Sequence, residues 1–72
     1  MRLETNLAYL PLAYRCAVET LDASGARTTA RLESLCDHFE AAYGLTGSDE
    51  SRFYRDSAAG ICARRFWNFD KE

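Results

Sequence analysis

The sequence predicts an all-α fold, a small three-helix bundle, and three observations carry that expectation. Apolar side chains recur at steps of three and four in three separate segments. The chain holds one valine, Val18, and one isoleucine, Ile61, so the aliphatic residues that favour sheets are scarce. Its 72 residues make a single domain, 1–72, with an ordered core expected over about 6–69. A chain this short buries only about 60% of its unfolded surface, so its stability is slim.

The first stripe is Leu7, Leu10, Tyr14, Ala17, Val18 and Leu21, six side chains on one helical face. Asn6 suits an N-cap. Pro11 then either kinks a helix begun at Asn6 or stands in the first turn of one that starts later. Gly25 suits a left-handed C-cap. The second stripe is Leu32, Leu35, Cys36, Phe39, Ala42 and Tyr43, with Thr28 or Thr29 at its start and Gly44 at its end. The third is Tyr54, Ala58, Ile61, Cys62, Arg65, Phe66 and Phe69. Ser48 is its expected N-cap, with Asp49 and Glu50 in the first turn, where acids favour the helix dipole. Gly60 inside this helix is unfavourable by about 1 kcal/mol relative to Ala, and a close helix crossing would explain it.

An α+β alternative competes over 14–34. Asp22-Ala23-Ser24-Gly25 also fits a hairpin turn, a type I turn followed by a glycine bulge. That register faces Thr20 with Thr28, Val18 with Ala30 and Cys16 with Leu32, ahead of two helices. Alanine at 13, 17, 26 and 30, a weak strand former, favours the helical reading.

Several function classes fit poorly. His38 is the only histidine, and it lies two positions from Cys36, which puts the pair on different sides of a helix. No glycine-rich phosphate loop or HExxH pattern is present, so neither an enzyme nor a cofactor is expected. Cys16, Cys36, His38 and Cys62 form a permissible zinc set, but their spacing matches no zinc framework and the cysteines fall on or beside the apolar stripes; no metal is expected. Three widely spaced cysteines make a poor disulfide framework. The opening residues, Met1 to Asn6, lack the apolar core of a signal peptide, and no segment reaches the ~20 apolar residues of a membrane span. These features lead to an expectation of a cytoplasmic protein with no membrane partner.

Charge is distributed unevenly. The net charge is −2, and eight of the nine basic residues are arginine. From Glu33 to Glu50 the charged residues are all acids: Glu33, Asp37, Glu40, Asp49 and Glu50. Glu33, Asp37 and Glu40 follow steps of four and three and are expected as an acidic ridge opposite the apolar stripe. Its plain roles are a solvated face or pairing with the arginine-rich third helix. Its sharper role is docking on a basic partner, since charge complementarity raises on-rates and selects partners. Arg64, Arg65 and Trp67 form a second candidate surface, because Trp and Arg dominate binding energies. There Trp67 either folds back as a lid on the core or meets a partner or a second copy of the chain.

The function expected is a small non-catalytic protein-binding protein, an inhibitor or adaptor, with Glu33, Asp37, Glu40, Asp49, Glu50, Arg64, Arg65 and Trp67 as its contact residues. Small phage or mobile-element proteins that block host nucleic-acid-targeting machinery belong to this class, and a basic nucleic-acid groove on a larger protein is the kind of site an acidic ridge would occupy. The alternative is a small helix-turn-helix-like DNA-binding regulator, with Arg52 and Arg55 on the recognition helix. Asp49 and Glu50 at the end that would meet phosphates oppose direct nucleic-acid binding.

Overall fold

The computed structural model describes residues 7–69. A 3₁₀ turn, Leu7–Tyr9, leads into three helices: α1 (Leu12–Ser24), α2 (Thr29–Ala42) and α3 (Glu50–Arg65). No strand occurs among the described residues, so the hairpin alternative over 14–34 is displaced. Ala13 and Ala17, which argued against a strand, are fully buried beside Tyr14, Val18 and Leu21. A face that takes in positions 13, 14, 17, 18 and 21 has the period of a helix and not that of a strand.

The helix ends follow local chemistry. Pro11 (φ −56°, ψ 154°) occupies the N-cap of α1, just ahead of the first turn. Its carbonyl accepts from the Tyr14 and Arg15 amides at 3.0 and 3.2 Å. No ladder bond is lost there, so α1 neither kinks at Pro11 nor contains it. The expected cap at Asn6 lies outside the described residues. Gly25 (φ 78°) closes α1 in the left-handed region. Thr28 caps α2, its hydroxyl accepting from the Arg31 amide at 3.1 Å. At the far end the Leu45 amide donates to the Glu40 carbonyl (2.7 Å) and the Gly44 amide to that of Ala41 (3.3 Å). With Gly44 at φ 73°, this is a Schellman motif. Ser48 does not cap α3 through its side chain. Asp49 takes the cap position in helical conformation, and the Ser48 carbonyl accepts from Ser51 at 3.2 Å. Glu50 alone of the two acids therefore lies in the first turn.

The core joins Leu10, Tyr14, Val18 and Leu21 to Leu32, Leu35 and Cys36 of α2, to Ala58, Ile61 and Cys62 of α3, and to Phe66 beyond it. Three expectations about the stripes need correction. On α3, Arg65, placed on the apolar face, is exposed. On α2, Ala42 and Tyr43 are exposed, whereas Glu40 is buried. Gly60 is not at a close crossing: a methyl group added there would meet only Arg64 Nη1, at 3.7 Å. No described helix is long and apolar enough to cross a membrane.

Candidate functional site

The steps of four and three along Glu33, Asp37 and Glu40 set three carboxylates on one edge of α2, and α3 packs so that Arg55 reaches all three. Arg55 grips Glu40 with two bonds, Nε to Oε2 at 3.0 Å and Nη2 to Oε1 at 2.6 Å. Nη1 donates to Glu33 Oε1 at 2.6 Å, and Nη2 also donates to Asp37 Oδ1. A planar guanidinium with five N–H donors in a fixed fork suits this sharing, which the single point charge of a lysine would not match. Tyr14 completes the cluster from α1, its hydroxyl donating to Glu40 Oε2 at 2.5 Å. The Tyr14 ring stacks on Tyr54 of α3 at 5.4 Å between centroids.

Electrostatics follow from this geometry. The Arg55 bonds hold the Glu40 carboxyl below the usual carboxylate range, overcoming the opposing effect of burial. Burial raises the Tyr14 phenol well above its ordinary value, and the bond to the Glu40 carboxylate adds to the rise. Arg55 is raised in turn, chiefly by its bond to Glu40. Glu40 is thus ionised, paired and hydrogen-bonded, the condition on which a buried charge is tolerated.

The ridge expected from sequence is therefore split. Glu40 is only 2% exposed and serves the interior. The reason is positional: Leu32, Cys36 and Glu40 stand four residues apart, so Glu40 extends the buried line of α2 instead of facing away from it. Glu33 and Asp37 remain at the surface, with side chains 51% and 70% exposed. Beside them lies a cavity of about 300 Å³ lined by Glu33, Ser51, Arg52, Arg55 and Asp56. Asp49 and Glu50 are exposed at the start of α3, and Arg64 and Arg65 at its end. The length of α3 holds these two pairs about 22 Å apart along the helix. Trp67 is 94% exposed and is no lid; Phe66 and the half-buried Phe69 cover the core at that end. The plain role expected from sequence, pairing of the acids with the arginine-rich third helix, is what Arg55 performs, although sequence reasoning did not single out Arg55 and missed Tyr14. The available signal was Glu40 itself, an acid in register with the apolar Leu32–Cys36 line, which requires a donor opposite it.

The other candidates are not assembled with this cluster. His38 is exposed, its ring edge-on to Phe39 at 4.9 Å, while Cys36 is buried. Burial pushes the Cys36 thiol up to about 12 and the Cys62 thiol up to about 11, which disfavours a reactive thiolate at either. Cys16 Sγ lies 3.9 Å from the Tyr43 hydroxyl. Among the described residues no group of three or more His, Cys, Asp or Glu side chains is arranged to hold a metal ion. Arg55, assigned to a recognition helix in the DNA-binding alternative, is committed to the three carboxylates. The chain matches no protein-family model, and comparison with curated proteins and with solved structures finds no similar one.

Proposed function

We propose that the chain is a non-catalytic protein-binding protein, an inhibitor or adaptor, that lays the exposed edge of α2 against a basic site on a larger protein. One observation carries this reading: Arg55 touches three carboxylates with one positive charge, and the buried Glu40 takes its two-bonded grip. Arg55 and Glu40 cancel, so Glu33 and Asp37 keep surplus negative charge at the surface. Their carboxylates are also held in place. Fixing a free acidic side chain in an interface costs about 0.5–1.5 kcal/mol, and much of that cost is already met in the folded chain. A pre-ordered acidic edge favours fast association and selects basic partners. A nucleic-acid-binding groove on another protein has this chemistry, and a phage or mobile-element inhibitor of host nucleic-acid-targeting machinery would use the edge in this way.

The test uses the chain as bait in extract from the cells that make it, beside a Glu33→Lys/Asp37→Lys variant that keeps Glu40 and Arg55. The expected result is a protein with a basic surface that the wild type retains and added salt releases. The variant should bind it at least about tenfold more weakly, with an unchanged dichroism spectrum. Equal retention by both baits, or capture of nucleic acid in place of protein, would overturn the proposal.

A further inference from the structure

A second surface lies at the opposite end of the molecule from the start of α3. There the first turn of α2 meets the last turns of α3 and the chain beyond it. Thr29, Ala59, Gly60, Ala63 and Phe69 line a groove of about 330 Å³. That volume is at the small end of the ~300–1,000 Å³ range of ligand pockets, a fit for one apolar side chain. Positive charge gathers toward one end of it. Arg64 stands one turn beyond Gly60 on the same face of α3, with Nη1 3.7 Å from where a Gly60 methyl would be. Arg27 and Arg65 place their guanidinium groups over the Phe66 ring, at 4.7 and 6.0 Å from its centroid. Arg31 lies in the first turn of α2.

Of these four arginines, only Arg27 has an ion-pair partner among the described residues, Asp22 at 2.9 Å. Two residues before Phe69 in the chain, Trp67 stands 94% exposed. At the other end of the groove Asp56 lies one turn before Gly60 on α3, and Glu33 one turn beyond Thr29 on α2. The groove is thus basic at its Arg64 mouth and acidic at its inner end.

We infer that this end of the bundle docks an acidic protein segment bearing one aromatic or aliphatic side chain, with that side chain in the groove. The segment's carboxylates then pair with Arg64 and Arg65, and Trp67 closes over its backbone. Charge complementarity chooses the occupant: the guanidinium groups of Arg64 and Arg65, without an ion-pair partner among the described residues, stand at one end of an apolar slot, and the combination of a buried apolar anchor and a polar rim is the usual anatomy of a protein–protein contact. Single-stranded nucleic acid would also use Trp67 and the arginines. It would, however, leave the slot between Ala59 and Ala63 unfilled and bring phosphates toward Asp56 and Glu33. This surface shares only Glu33, at its inner end, with the α2 edge, and the two together would make the chain an adaptor with an acidic and a basic contact face.

Trp67 is the only tryptophan in the chain and reports on its own surroundings. The experiment titrates the full chain with an acidic hexapeptide containing one central phenylalanine, following Trp67 emission and its quenching by iodide. Saturable protection of Trp67 is expected. Replacing the phenylalanine with glycine, or adding the peptide to Arg64→Glu/Arg65→Glu, should weaken binding about tenfold or more. Ala63→Leu, which fills the slot with a good helix former, should weaken it likewise without loss of helix content. The inference fails if the peptide leaves Trp67 as accessible as before or if the glycine peptide binds equally. It also fails if a ten-nucleotide oligothymidylate binds more tightly than the peptide, or if Trp67 is protected by raising the chain's own concentration, which would make a second copy the occupant. Asp37→Lys, two turns beyond Thr29 on the α2 edge and outside the groove lining, should leave peptide binding unchanged, so the outcome here does not depend on that of the acidic edge.

Discussion

Removing the Arg55 guanidinium is expected to unfold this protein at neutral pH, and removing the Glu40 charge as well is expected to restore it. Arg55→Met leaves the Glu40 carboxylate buried, 3% exposed at its side chain, without its cation. Breaking a buried ion pair from one side costs about 3–5 kcal/mol. A core in a chain below about 70–80 residues rarely supplies more than about 3–5 kcal/mol in total. The loss therefore matches the whole stability, and far-ultraviolet circular dichroism of Arg55→Met should show a mostly unfolded chain. In Arg55→Met/Glu40→Gln the buried charge is gone and the amide oxygen still accepts from the Tyr14 hydroxyl. Helix content and a cooperative urea transition should return. Asp37→Asn, at an exposed position of the same cluster, should cost no more than about 1 kcal/mol.

The pH dependence changes sign between wild type and variant. In the wild type the Glu40 carboxyl lies below its ordinary value of 4.5. Its contribution is full above that pH and is lost as pH falls through the folded value. In Arg55→Met burial is left to raise the same carboxyl, so acidification should recover structure in the variant over a range where it begins to weaken the wild type. If the double variant is no more stable than Arg55→Met, or if Asp37→Asn costs as much as Arg55→Met, the cost does not lie in an uncompensated buried charge and the reasoning fails.

Three further outcomes follow from local geometry. Gly60→Ala should stabilise the chain by about 0.5–1 kcal/mol in urea titration, since a methyl group there meets one flexible arginine at 3.7 Å and the helix gains propensity; a loss of stability would mean that the last turns of α3 pack more closely than described. At about pH 8 Ellman's reagent should modify the half-buried Cys16 first, and Cys36 and Cys62 only at the rate at which the chain opens, because burial holds both thiols protonated; three thiols reacting at one fast rate would contradict the buried positions. In an alkaline absorbance titration Tyr14 should resist ionisation beyond the ordinary phenol range, and its ionisation should coincide with unfolding. The raised phenol contributes stability below its ordinary value of 10.0, and that stability is lost as pH rises through the folded value.

Most of the architecture was legible because it depends on periodicity and on residues with strong local preferences. Leu10 to Leu21, Leu32 to Cys36 and Ala58 to Phe66 mark the buried faces in sequence, and Gly25, Thr28 and Gly44 mark the boundaries with the chemistry seen in the structure. The misplacements share a cause. Reading Ala42 and Tyr43 as core and Glu40 as surface assigns side by polarity, whereas the Schellman turn at Gly44 ends the helix and leaves the last buried position to Glu40. Trp67 was ambiguous for a related reason: it follows Phe66, the first residue past α3, where the chain becomes extended and helical spacing no longer says which way a side chain points. The acids of the α2 edge were legible as a row, but which of them faces inward depends on where α3 crosses, and one sequence does not encode that locally.

The cluster of Tyr14, Glu40 and Arg55 takes one residue from each helix, and this explains more than stability. Leucine, alanine and cysteine cores tolerate shifts of packing, since apolar contacts of similar volume exchange at small cost. A phenol, a carboxylate and a guanidinium do not, because a shift of one turn leaves a buried charge unpaired. The cluster thus acts to fix the register of α3 against α2, a role that buried polar groups fill in some proteins and that the Arg55→Met/Glu40→Gln variant can expose. If that variant is stable but shows loosened tertiary signals, the charges set uniqueness more than free energy. The same fixing governs the surface. Glu33 and Asp37 present surplus charge only because Glu40 neutralises Arg55 from within, so the double variant, having lost both interior charges, keeps the two exposed acids but loses the guanidinium that holds them. A partner that recognises total charge would then bind as well or better, whereas one that recognises held carboxylates would bind less tightly, and comparison of the two affinities would separate electrostatic attraction from preorganisation at the α2 edge.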